Sequence, residues 1–184
     1  MTEQFIEVYR RHKNLKLAAN ELGVRWQTLY VWLRKAGEPV TGDKSRYGSE
    51  SDQFAAKSER MFMQLIPEAE NLNVKKFQSK VDFLVGRYRV DLKASRLIDH
   101  SRTGNSPSWN FSIKKQELHA EFFVCLGFDA EGETVIKCFL IPIEIGRTYT
   151  TIRASPRVNK WSQYEVATAE LRPFFAAMNE ERAA

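Results

Sequence analysis

Asp82, Asp91 and Lys93 fall within one short stretch, and Glu59 lies upstream of them. Carboxylate oxygens are hard ligands suited to Mg²⁺. A lysine whose pKa is lowered by burial and a neighbouring cation can position or deprotonate a water. The stretch from Lys80 to Lys93 (KVDFLVGRYRVDLK) reads as two β-branched and aromatic runs joined by Gly86-Arg87, and Gly at the first central position suits a type II′ hairpin turn. That register pairs Val85 with Tyr88, Leu84 with Arg89, Phe83 with Val90 and Asp82 with Asp91. Alternation then puts Asp82, Asp91 and Lys93 on one side and Val81, Phe83, Val85, Val90 and Leu92 on the other. Two acids facing across a ladder repel, so a divalent cation between them is the expected compensation. Lys80 falls opposite Lys93, where it would reinforce a lowered lysine pKa. A bulge at Gly86 would shift Asp82 by one residue against Asp91.

Several elements must hold these side chains. Residues 50–66 form a predicted helix that starts at a Ser/Asp cap and stops before Pro67, with Phe54, Ala55, Met61, Phe62, Leu65 and Ile66 as its apolar stripe. Glu59 shares that face, and two readings stand side by side: a carboxylate turned toward a cation or metal, or an edge residue paired with a nearby Lys or Arg. Downstream, residues 108–113 alternate like a strand. The run from Lys114 to Gly127 is amphipathic and ends in EFFVCLGF, with residues 118–128 partly strand; residues 134–142 are a buried strand, and residues 166–178 a closing helix. His100, in the loop HSRTGNSPS, is a candidate DNA contact. Lys114 and Gln116 are candidates near a phosphate, and His119 has no second ligand at metal spacing. No Gly-rich phosphate loop or GxSxG element is present.

The first forty residues are different in kind. Residues 4–12, 15–22 and 25–36 each show helical periodicity, with Gly23 separating the last two. The spacing of Ala18, Ala19, Leu22, Gly23, Val24, Leu29 and Trp32 resembles the helix-turn-helix family, in which the helix after the turn enters the major groove. The resemblance implies that residues 25–36 are the recognition helix, with Leu29, Trp32 and Leu33 inward and Arg25, Gln27, Thr28, Tyr30 and Arg34 on DNA. Trp26, near the exposed start of that helix, is expected to stack on the DNA backbone or to pack against the second domain. Residues 41–48 read as a polar linker, which divides the chain into 1–40 and 49–184.

With Glu59, Asp82 and Asp91-Leu92-Lys93 in that order, the second part resembles the PD-(D/E)XK superfamily of nucleases, with Lys80-Val81 where a Pro commonly precedes the first acid. The resemblance implies an α/β fold, a mixed-sheet restriction-endonuclease-like core beside the small all-α helix-turn-helix domain. It implies an endonuclease hydrolysing DNA phosphodiesters with Mg²⁺, for which Mn²⁺ can substitute. Asp82, Asp91, Glu59 and the Leu92 carbonyl would ligate the metal, and Lys93 would serve the attacking water. The partner would be double-stranded DNA and the assembly a homodimer, since such enzymes cut two strands. Restriction or homing is the expected setting; a Holliday-junction or other structure-specific resolvase and a non-catalytic DNA-binding regulator are the alternatives.

Composition agrees with a folded partner of a polyanion. The 184 residues are 43% hydrophobic and 12% aromatic, which excludes disorder, and the net charge is +5. Residues 1–40 carry seven Lys/Arg against four acids, and residues 75–102 eight against three. No apolar run approaches a membrane span and the N-terminus lacks a signal-peptide core, so a cytoplasmic location is expected. Cys125 and Cys138 sit in apolar surroundings without CxxC spacing and read as buried, reduced thiols.

Overall fold

The computed structural model describes residues 2–75, 81–113 and 119–181. Lys80, Lys114, Gln116 and Glu117 lie outside the described residues. The chain divides into two compact units, residues 1–57 with 73–78, and residues 58–72 with 79–184.

The first unit contains α1 (Thr2–His12), α2 (Leu15–Glu21), α3 (Trp26–Lys35) and the short α4 (Lys44–Tyr47). Asn14 starts α2 by accepting the Lys16 and Leu17 N–H groups on its side chain, as an N-cap should. Gly23, at φ +65°, then turns the chain into α3. Val8, Tyr9, Ala18, Ala19, Leu29 and Leu33 form the core of this unit. Trp32 departs from the expectation: it is 37% exposed and lies against Phe5 with ring centroids 5.4 Å apart, because Leu29 and Leu33, one turn apart, already fill the inner stripe. Segment 41–48 is tied to α1, since Tyr9 Oη donates to Thr41 O and Asp43 N–H donates to Lys13 O.

Helix α5 (Glu50–Leu65) begins in the first unit and ends in the second. Ser49 and Asp52 cap its start reciprocally. The expected stripe is shifted: Ala55 is exposed while Ser58, Phe62 and Ile66 are buried, an i, i+4 seam that a small Ser completes where the helix lies close to its neighbours.

After α5 come β1 (Glu70–Asn71), α6 (Leu72–Lys75), β2 (Phe83–Val85), β3 (Tyr88–Arg96), β4 (Trp109–Ser112), β5 (Phe122–Phe128), β6 (Val135–Pro142), α7 (Ile143–Gly146), β7 (Thr151–Ala154), β8 (Glu165–Val166) and α8 (Leu171–Glu181). Six strands form one mixed sheet in the order β1-β2-β3-β5-β6-β8, and β4 pairs with β7 as a separate two-stranded ribbon. Among the described residues only β3 and β5 run parallel in this sheet; its other pairs are antiparallel. The expected closing helix 166–178 therefore starts later, because residues 165–166 extend the sheet edge against β6.

One face of the sheet carries Phe83, which meets Phe62 of α5 with centroids 4.6 Å apart, and Phe122, which meets Phe175 of α8 at 5.7 Å. The opposite face carries Phe123, Cys125, Phe139 and Ile141, covered by Trp109, Phe111, Ile113, Ile152 and Ala154 of the ribbon and its continuation, and by Trp161. Gly127 is required there: a Cβ would lie 2.8 Å from the Trp109 ring, whose Nε1 donates to Phe128 O at 2.6 Å. Cys125 and Cys138 are buried and not joined in a disulfide. Burial pushes both thiols well up from their ordinary range, Cys138 to about 12. No helix among the described residues is long and apolar enough to cross a membrane.

Candidate active site

The hairpin forms in the expected register, Phe83 with Val90, Leu84 with Arg89 and Val85 with Tyr88, with no bulge at the turn. Gly86 has φ +62° and Arg87 does not have a positive φ, the sign combination of a type II′ turn. Helix α8 clamps this turn through Asn179, whose Oδ1 accepts the Arg87 N–H at 3.1 Å while Nδ2 donates to Phe175 O at 2.8 Å. Tyr88 Oη donates to Met178 O at 3.1 Å. Val81, Phe83, Val85, Val90 and Leu92 are buried, and Asp82, Asp91 and Lys93 are half-buried. The alternation puts the apolar set into the core, as expected.

Asp82 is where the geometry departs from a plain ladder. The β2–β3 pairing ends at Phe83–Val90, and Asp82 Oδ2 accepts the Leu92 N–H at 2.9 Å. Its backbone carbonyl accepts the Leu72 N–H, also at 2.9 Å. A carboxylate thus stands in for the backbone acceptor that a longer β2 would provide. Because a strand residue directs its N–H and C=O to the same side, the Leu92 carbonyl faces this edge as well.

Asp82 is in hydrogen-bonding contact with Asp91, and Lys93 Nζ lies 2.9 Å from Asp91 Oδ2. Burial first, and then the Asp82 carboxylate, push the Asp91 carboxyl up to about 7, against the downward pull of Lys93. Two carboxylates in contact supply hard oxygen donors, and an acid that gives up its proton near neutrality fits a divalent cation. Glu59 is half-buried on α5 and accepts from Asn71 Nδ2 at 3.1 Å. Among the described residues no group of three or more His, Cys, Asp or Glu side chains converges at metal-holding spacing. The structure therefore brings Asp82, Asp91 and Lys93 together and holds Glu59 on Asn71, the residue paired with Phe83 at the start of β2.

Asn71 and Glu121 escape a reading of the sequence. Glu121 Oε2 accepts the Arg89 N–H at 3.0 Å, which secures the start of the parallel β3–β5 pairing two residues before Asp91. A single acid ahead of an apolar strand gives no signal of that role. His119 is exposed, and His100 Nε2 lies 3.0 Å from Ser108 Oγ.

In the first unit Arg25, Gln27, Tyr30 and Arg34 are exposed and Thr28 is half-buried. Trp26 is 44% exposed and lines a cavity of about 450 Å³ with Tyr9, Leu15 and Tyr47. Two of the cations on α1 are already paired: Arg10 is bidentate to buried Glu38, at 2.9 and 2.6 Å, and Arg11 is bonded to Glu21. The Arg10 guanidinium holds the Glu38 carboxyl below its ordinary range.

No family model matches the sequence, and no curated protein does. Among solved structures the chain is similar to a bacterial homing endonuclease, I-Ssp6803I, with a TM-score of 0.50 and 14% identity, over 72% of this chain and 98% of that one. At that identity the likeness is one of fold, a mixed-sheet, nuclease-like α/β architecture.

Proposed function

We propose that the chain is a metal-dependent DNA endonuclease, with residues 49–184 as a PD-(D/E)XK nuclease domain and residues 1–40 as a helix-turn-helix module that directs it to a site. The carrying observation is the contact of Asp82 with Asp91, whose carboxyl is lifted to about 7 while Lys93 Nζ lies 2.9 Å away. The similarity in fold to a homing endonuclease makes a DNA phosphodiester the substrate to test first.

Asp82, Asp91 and the Leu92 carbonyl would hold Mg²⁺ or Mn²⁺, with Glu59 as the third acid. A bound divalent ion supplies charge neutralisation at the phosphoryl oxygens and acidifies water. Lys93, held by Asp91, would orient the attacking water and offset the negative charge that develops on the phosphoryl group. Asp82 fixes the strand geometry of that arrangement by accepting the Leu92 N–H. Arg25, Gln27, Thr28, Tyr30 and Arg34 on and before α3 would contact bases and phosphates. A homodimer would deliver two such sites to the two strands.

Supercoiled plasmid and random linear duplex, incubated with the protein and Mg²⁺ or Mn²⁺, test this reading. Nicked or linear products that vanish with EDTA and with Asp91→Ala or Lys93→Ala are expected. Equal survival of the plasmid with wild type and variants over a range of salt sinks the enzymatic reading. Cutting confined to four-way junctions would replace site-directed cleavage with resolution.

A further inference from the structure

The β4–β7 ribbon has two faces of opposite character. Trp109, Phe111, Ile152 and Ala154 are buried against the sheet. The alternate positions, Asn110 paired with Arg153 and Ser112 paired with Thr151, turn the other way, and Ser112, Thr151 and Arg153 are exposed. This outward set is an amide, two hydroxyls and a guanidinium, the groups that hydrogen-bond base edges. The segments that build the ribbon, residues 100–113 and 147–160, contain five Lys or Arg and no Asp or Glu. In a chain with 28 cations and 23 acids these two segments carry only cations, with exposed Asp99 at the border of the first and bonded to Ser101, a charge balance that suits an approaching polyanion.

Arg153 is held ready. Its Nε donates to Ser108 Oγ at 3.0 Å, and the same buried oxygen lies 3.0 Å from His100 Nε2. With Nε engaged, the exposed side chain keeps its two terminal nitrogens as a fork, the group that meets O6 and N7 of guanine. The ribbon is also tied to the acid pair. Asn110 N–H donates to Ser95 Oγ at 3.1 Å, and Ser95 follows Asp91 by four residues on β3, about 13 Å along the strand. The bridge between Ile98 and Ser108 sets β4 running back along β3 toward Lys93. A two-stranded ribbon fits the major groove of B-DNA.

We infer that the β4–β7 ribbon is a second sequence-reading element, which inserts Arg153, Asn110, Ser112 and Thr151 into the major groove of duplex DNA beside the acid pair. It rests on the proposed function only in taking DNA as the partner, and it moves part of the site choice from the helical unit into the nuclease unit. The bases it reads keep a fixed distance from the cut, since the ribbon is tied to β3, the strand of Asp91, by the Asn110–Ser95 bond and the Ile98–Ser108 bridge.

The test uses the full chain in EDTA, so that reading is separated from cutting. Duplexes bound from a randomised library are sequenced for wild type, Arg153→Ala, Arg153→Lys and Ser112→Ala/Thr151→Ala. Expected is the loss of a contiguous block of preference in the variants, about tenfold or more in discrimination at the base pair facing Arg153, with the remaining block intact. Arg153→Lys should keep overall affinity and still lose that base pair, because it keeps the charge without the fork. An unchanged profile, or binding weakened equally for every sequence, overturns the inference and leaves the endonuclease reading standing. A wild-type chain that enriches no duplex overturns the ribbon and the proposed DNA targeting together, while plasmid cleavage still decides the chemistry.

Discussion

Asp91 carries a cost that its neighbours explain. An unfolded aspartate loses its proton near 3.8, whereas burial and the Asp82 carboxylate hold the proton on the folded Asp91 up to about 7. Between those values the native state binds more protons than the unfolded one, so this group's contribution to stability is full at low pH and is lost as pH rises from about 4 to 7. The size is on the order of a few kcal/mol. Asp91→Asn in EDTA should therefore be more stable than wild type by about 1–3 kcal/mol at pH 8, with the advantage shrinking toward pH 4; parallel urea midpoints across that range would show that the acids are not in conflict. The same coupling predicts that Mg²⁺ raises the Tm of wild type more at pH 8 than at pH 5.5, because cation and proton compete for one pair of carboxylates. Lys93→Ala should slow cleavage by about 100-fold or more without loss of fold, checked by single-turnover rates beside circular dichroism. Glu59→Gln asks a narrower question. If Glu59 is a ligand, the Mg²⁺ concentration for half-maximal cutting rises; if it only holds Asn71, stability drops and the metal requirement does not move.

The hairpin is an element whose rigidity comes from a helix far away in sequence. Asn179 of α8 bonds the Arg87 N–H on one side of the turn and Phe175 on its own helix, and a Cβ on Gly86 would collide with that side chain. Asn179→Ala should cost about 1–2 kcal/mol in urea unfolding and, by loosening β2 against β3, lower the cleavage rate as well. A stability loss with unchanged cleavage would mean that the acid pair is positioned by β5 alone. On α3, Arg34→Ala should weaken binding about equally for all sequences and reduce the salt slope by about one if it contacts phosphate. A changed base preference with an unchanged slope would instead make Arg34 a base reader. The hairpin was legible because a turn Gly between two alternating runs is a local signal. β7 was not: Thr151-Ile152-Arg153-Ala154 is four residues long, and it is a strand only because Trp109 to Ser112 lies alongside.

At the scale of the molecule, a unit of three packed helices and a mixed-sheet unit are joined through one continuous helix, α5. If reading and cutting divide between them as proposed, Asp91→Asn should bind an enriched duplex with wild-type affinity in EDTA while losing cleavage, and its effect should add to that of Arg34→Ala without coupling, because the sites share no partners. Fluorescence anisotropy and cleavage rates on the same duplex measure both. The sequence alone determined what local rules control: the II′ turn, the register of β2 on β3, the capped helix before it, and the face on which Asp82, Asp91 and Lys93 stand. Period-two alternation and turn chemistry act over a few residues, and so they can be read from a few residues. Tertiary structure decided the rest. It confined the β2–β3 pairing to Phe83–Val85 and gave Asp82 to the Leu92 N–H, kept Glu59 on Asn71, left Trp32 partly in solvent and paired β4 with a strand about forty residues away. Each of these depends on which surfaces meet after the chain has collapsed, and burial, unlike periodicity, is a property of the partners.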